Sequence, residues 1–102
     1  MKNLFDVTEK VIVVTGSTSI LAGGTARYLQ QNGARVVYLG RNQSKVDAAI
    51  EEARMISDYC LGVTTDVLDE DGLKSAHEKV INKFGRVDAL INGAGGNMPG
   101  AT

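Results

Sequence analysis

The chain is poor in the residues that staple or stiffen a fold, with one cysteine, Cys60, and one proline, Pro99, in 102 residues. A lone thiol makes neither an internal disulfide nor the multi-cysteine set of a structural zinc site. That excludes a secreted disulfide scaffold and a metal-built module, and fits a reducing compartment. Charge of one sign is also lacking, since 11 Lys+Arg stand against 12 Asp+Glu for a formal net charge of -1. So balanced a chain has no electrostatic footprint for nucleic acid or an anionic membrane surface. No apolar run approaches the ~20 residues of a membrane span, and the charged stretch Met1 to Lys10 lacks a signal peptide's apolar core. These absences predict a cytoplasmic, soluble protein whose partners include neither nucleic acid nor membrane. No linker, charge run, low-complexity segment or long-period repeat divides residues 1–102, which read as one domain or part of one. What the chain has is glycine, 12 residues in all, four of them between Gly93 and Gly100.

Hydrophobic periodicity sets the order of elements. Val11-Ile12-Val13-Val14, ended by Thr15-Gly16, is the β-branched run of a strand buried on both faces of a parallel sheet. Leu21, Ala22, Ala26 and Leu29 follow at helical spacing, with Asn32-Gly33 as the stop. Val36 to Leu39 is the second strand, and Val46, Ala49, Ile50, Ala53 and Ile56 mark an amphipathic helix from Ser44. Tyr59 to Val63 is the third strand. Asp69 to Phe84 is a helix with Leu73, Ala76, Val80, Ile81 and Phe84 on its apolar face, acids at its start and lysines toward its end, closed by Gly85. Val87 to Ile91 is the fourth strand. Three consecutive strand-helix-strand crossovers imply a right-handed parallel sheet, so the fold class is α/β: a Rossmann-like, three-layer, doubly wound domain truncated to four strands in the order 3-2-1-4.

In such a fold, ligands sit at the carboxyl ends of the strands. The loop from Gly16 to Gly24 occupies the position where helix N-terminal amides cradle a phosphate. Gly16 permits the turn, Ser17, Thr18 and Ser19 offer hydroxyl donors, and Ala22, Gly23 and Gly24 keep the helix start slim. No Lys follows the glycines, which excludes a Walker A loop, and the strict G-x-G-x-x-G spacing is absent, so a tight turn without a ligand stays open as the alternative.

Thr15-Gly16, Gly40-Arg41-Asn42, Asp66-Val67 and Asn92-Gly93-Ala94-Gly95 each follow one of the four strands, and together they resemble the short-chain dehydrogenase/reductase family over nearly the whole chain from Phe5. The family's first motif is Thr-Gly, three residues, Gly, one residue, Gly; here Ile20 and Ala22 stand at its second and third glycines. Phe5-Asp6-Val7-Thr8, Leu21-x-Gly23-Gly24 and Ile91 to Asn97 are similar to a branch that includes fructuronate reductase (D-mannonate oxidoreductase).

The resemblance implies a nicotinamide dinucleotide as cofactor, held by Gly16, Ser17, Thr18, Ser19, Ile20, Leu21, Arg41, Asn42, Asp66, Val67, Asn92, Gly93, Ala94 and Gly95. The second strand ends in Gly40, without the acid that would hold a ribose 2′-hydroxyl. Arg41 follows, and a guanidinium suits a 2′-phosphate, so NADP(H) is expected over NAD(H). Asp66 is expected at the adenine amino group and the Val67 N–H at the ring, with a turn or N-cap role for Asp66 as the alternative. Gly93 stands where the family has a second Asn, which removes a side-chain hydrogen bond there. His77 and Cys60 are expected to pack rather than react.

Family members move a hydride to or from a small carbonyl or alcohol substrate, using a Tyr and a Lys four residues later. The residues four after Tyr28, Tyr38 and Tyr59 are Asn32, Asn42 and Val63, so no candidate catalytic pair exists in this chain. It is therefore expected to be the cofactor-binding N-terminal portion of an oxidoreductase, inactive by itself, with a standalone nucleotide- or protein-binding module as the alternative. An uncovered fourth strand and a bare sheet face lead to the expectation of a homo-oligomer.

Overall fold

The computed structural model describes residues 6–17 and 20–93. Seven elements alternate along the chain: β1 (Val11–Thr15), α1 (Ile20–Gln31), β2 (Arg35–Gly40), α2 (Gln43–Arg54), β3 (Cys60–Thr64), α3 (Glu70–Phe84) and β4 (Ala89–Asn92). The strands form one parallel sheet in the order β3-β2-β1-β4, the Rossmann-like arrangement that the crossovers predict.

Because successive strand residues point to opposite faces, the apolar runs divide into two cores. Ile12, Val14, Val36, Tyr38 and Cys60 meet Ala22 and Ala26 of α1 and Ile50 and Ala53 of α2 on one face. Val11, Val13, Val37, Leu39 and Val63 meet Ala76 and Val80 of α3 on the other. Two helices thus cover the first face and one covers the second.

The first core contains a polar chain. The Tyr38 hydroxyl donates to Gln30 Oε1 at 2.7 Å, and Gln30 Nε2 donates to the carbonyl of Ala53 at 2.9 Å and to Ser57 Oγ at 2.9 Å. One side chain of α1 thereby ties β2 to the end of α2. Burial pushes the Tyr38 phenol up to about 12 from an ordinary 10.0, and the buried Cys60 thiol is pushed up by the same cause. Cys60 is thus the packed core thiol that its place in the third strand predicts.

Element ends carry their own chemistry. Asn42 caps α2, its side chain accepting from the Lys45 N–H, and Asp69 caps α3 by accepting from the Asp71 N–H. Gly33 and Gly85 follow α1 and α3 with φ of 94° and 83°. The fourth strand is shifted from its expected span, since Val87 lies outside it and Asn92 inside. Register pairing with β1 begins at Ile12↔Ala89, and just ahead of it Asp88 holds Val11 twice, its N–H donating to the Val11 carbonyl at 2.8 Å and its carboxylate accepting the Val11 N–H at 2.8 Å. The second bond, ahead of the Arg86 guanidinium at 2.9 Å, holds the Asp88 carboxyl below its ordinary range.

The apolar face of α3 is less buried than its periodicity suggests. Leu73 and Ile81 keep 38% and 37% of their surface, and Leu90 on β4 keeps 64%. Between α3, β1 and β4 lies a cavity of about 490 Å³, lined by Val13, Leu73, Val80 and Leu90 among others. His77, expected to pack on the margin of this helix, is exposed at the cavity's wall.

Candidate dinucleotide site

The parallel order brings the carboxyl ends of all four strands to one edge of the sheet. Thr15, Gly40, Thr64 and Asn92 are the last residues of β1, β2, β3 and β4, and the register sets Thr15 beside Asn92 and Gly40 beside Thr64. The four segments singled out in the sequence, as far as they are described, therefore meet at this edge, where Thr15 and Asn92 are neighbours though 77 residues apart.

Gly16 makes the turn out of β1 with φ of 65°, a conformation that costs a side-chain-bearing residue energy. Ser17 does not offer its hydroxyl to the edge as expected. It is buried, its Oγ directed at the Leu39 carbonyl at 3.4 Å, with its N–H toward the same oxygen at 3.4 Å. The hydroxyl fastens the turn to β2, and the turn's capacity for an anion shifts to backbone amides. Thr18 and Ser19 lie outside the described residues, as do Ala94, Gly95 and the rest of the expected Gly-rich segment. Ile20 and Leu21 open α1, whose first turn contains no acid. By contrast, the first turn of α3 carries Glu70 and Asp71. An acid-free helix N-terminus behind a glycine turn is compatible with an anionic ligand, since the positive end of the helix dipole lies there.

The two glycines expected to slim the start of α1 behave differently. A Cβ on Gly23 would lie 2.7 Å from the Ser17 carbonyl oxygen, whereas one on Gly24 would meet nothing within 4 Å. Only Gly23 is needed for close approach.

At the end of β2, Gly40 is buried and Arg41 is exposed, with no ion pair to another described residue. Beside Gly40, Thr64 Oγ1 is a buried side-chain oxygen without a hydrogen-bond partner among the described residues. The Asn42 side chain accepts from Ser44 Oγ at 2.7 Å and from the Lys45 N–H at 3.2 Å, so it is occupied in starting α2. Asp66 accepts the Leu68 N–H at 2.9 Å, the turn role weighed as the alternative, while its side chain remains exposed. Val67 packs its side chain against the α3 core.

One polar residue at this edge gave no separate signal beyond its place in Thr-Gly. The Thr15 hydroxyl donates to Asn92 Oδ1 at 2.8 Å and accepts the Gly93 N–H at 3.1 Å, so a single side chain bolts the end of β4 to the start of the glycine turn. A side chain at position 93 would not fit in any case, because a Cβ there would lie 2.6 Å from Ala22 Cβ. The missing Asn is replaced by backbone bonding.

The glycine turn, the acid-free helix end, the exposed Arg41 and the bare Gly40 all lie at this edge. An uncharacterized oxidoreductase of Bacillus subtilis, UxuB, is 40% identical over 96 residues, covering 94% of this chain and 34% of the relative. The structure of L-sorbose reductase from Gluconobacter frateurii, complexed with NADPH and L-sorbose, superposes with a TM-score of 0.82 at 30% identity, covering 89% of this chain and 36% of that one. The 3-ketoacyl-(acyl-carrier-protein) reductase of Brucella melitensis, complexed with NADH, superposes with a TM-score of 0.76 at 32% identity, covering 82% and 34%. The chain thus spans about a third of the length of the relatives it matches. A family model described as short chain dehydrogenase matches residues 10–102, and the chain belongs to that family.

Proposed function

We propose that this chain is the dinucleotide-binding portion of an NAD(P)-dependent oxidoreductase acting on a small carbonyl or alcohol substrate, and that it prefers NADP(H). The observation that carries the proposal is the convergence of four loop segments on one sheet edge, with Arg41 exposed beside the bare Gly40 and in no ion pair with another described residue. Amides around Gly16 and the first turn of α1, together with Thr18 and Ser19, would take the pyrophosphate. Arg41 would take the 2′-phosphate through two parallel charge-assisted hydrogen bonds. Asp66 and Val67 would meet the adenine, and Asn92, Gly93, Ala94 and Gly95 would line the ribose and nicotinamide side. The cofactor, when bound, supplies or accepts the hydride. This chain's own residues bind and orient it.

The chain has no Tyr-x-x-x-Lys, so binding without turnover is the expectation for these 102 residues alone. A sugar acid of the fructuronate/mannonate class is the favoured substrate of the whole protein. It rests on Leu21-x-Gly23-Gly24 and the run from Ile91 to Asn97, and the likeness to a reductase bound to L-sorbose is in keeping with a polyhydroxy substrate. A homo-oligomer is part of the proposal, and the exposed apolar side chain of Leu90 is in keeping with it.

Fluorescence titration with both cofactors tests the proposal. NADPH is expected to bind at least about tenfold more tightly than NADH, and Arg41→Ala to bring the two within about twofold of each other. Equal affinities that survive Arg41→Ala would overturn the NADP(H) preference, and absence of binding to either cofactor would overturn the function.

A further inference from the structure

We infer that Gly93 is a positioning residue for the anion-binding turn: its missing side chain is the seat of Ala22, and this pair fixes where the first turn of α1 presents its amides. The inference rests on the dinucleotide-binding proposal and deepens it.

Ala22, the third residue of α1, is buried against the end of β4. A Cβ on Gly93 would stand 2.6 Å from Ala22 Cβ and 2.7 Å from the Thr15 carbonyl oxygen, closer than packed atoms tolerate. The end of β4 cannot retreat to make room. The Gly93 N–H donates to the Thr15 carbonyl at 3.0 Å and to the Thr15 hydroxyl at 3.1 Å, and that hydroxyl also holds Asn92. The helix is confined on its other flank, where Gly23 lies so close to the Ser17 carbonyl that a Cβ would come within 2.7 Å of it. Ser17 in turn is held by β2 through the Leu39 carbonyl. The first turn of α1 is thus wedged between two positions without side chains, one on the helix facing its own loop and one just past β4 facing the helix. A methyl group added at position 93 meets both the Ala22 methyl and the Thr15 carbonyl; the first of these contacts is relieved by moving that turn, and the amides aimed at a pyrophosphate move with it.

The test uses the 102-residue chain with Gly93→Ala, Ala22→Gly and the double variant. It measures affinity for NADPH and for 2′-AMP, together with urea midpoints. Gly93→Ala is expected to weaken NADPH binding about tenfold, while 2′-AMP, which has no pyrophosphate, stays within about twofold. The double variant is expected to lose less than the sum of the single losses, because removing the Ala22 methyl vacates the contested space. NADPH affinity unchanged in Gly93→Ala, equal losses for both ligands, or strictly additive effects would each overturn the inference. Should Gly93→Ala not fold, Ala22→Val adds bulk from the helix side and is expected to show the same selective loss of NADPH; retention of full affinity would overturn the inference. Should the wild-type chain bind neither dinucleotide, the functional proposal falls. The midpoints then decide the steric pair, non-additivity upholding it and additivity removing it.

Discussion

The two faces of the sheet are built to different standards. Beneath α1 and α2, Val14, Val36 and Tyr38 are fully enclosed, and the polar groups of Tyr38 and Gln30 satisfy each other and the end of α2. Beneath α3, only Ala76 and Val80 of the helix are buried, and a cavity of about 490 Å³ is lined by residues of α3, β1 and β4. The closed face lies beneath α1, whose first turn is the proposed anion cradle, so precision is concentrated where amides must be aimed. Protein interiors transmit strain when close-packed and absorb it when loose. Substitutions of equal chemistry should therefore act unequally on the two faces.

The largest difference is expected from truncating Val14, which should lower stability by about 2 kcal/mol in urea unfolding at unchanged slope, since α1, α2 and β2 leave little freedom to refill the space. A loss below about 0.5 kcal/mol would mean that the closed face relaxes as readily as the open one. Tyr38→Phe keeps the shape but strips Gln30 Oε1 of its donor, at an expected cost of about 1 to 2 kcal/mol. It should also change the alkaline limb. Burial raises the folded-state pKa of Tyr38 to about 12, so its contribution is complete below the ordinary value of 10.0 and is lost as pH rises through about 12. A pH titration of stability in Tyr38→Phe should show a shallower fall across that window, and an unaltered slope would assign the alkaline loss to other groups. The smallest effect belongs to the open face, where Leu90→Ala should shift stability by no more than about 0.5 kcal/mol, because the side chain is 64% exposed. A cost near that of Val14→Ala would erase the distinction between the faces.

Strand order, helix order and the meeting of four loop segments were legible because each depends on a pattern along the chain: β-branched runs, helical spacing, glycine stops. The Asn42 cap was visible in the same way, as Asn followed by a helix, yet its membership of Gly40-Arg41-Asn42 drew attention to a ligand instead. What was not legible depended on partners distant in sequence. A serine in a glycine turn looks like a donor to a ligand until β2 supplies the Leu39 carbonyl that takes its hydroxyl. Gly93 looked like a lost asparagine, and only its distance to Ala22 reveals a position where no side chain fits. Leu73 and Ile81 continue a regular apolar stripe, but periodicity does not say how much sheet lies opposite. Arg41 and Asp66 are exposed at the expected edge.

The pairing of β1 with both β2 and β4 has a kinetic consequence. Ile12 pairs with Val36 and with Ala89, so the second pairing closes a loop about three times longer than the first. Long closures lose more chain entropy before any contact is gained, which places them late in folding. The Thr15, Asn92 and Gly93 bolt belongs to that second closure. During synthesis, the hydrophobic centre of this chain can form while the edge proposed to hold the dinucleotide is still unassembled, and ligand present at that moment would favour the final step by binding only what has finished folding.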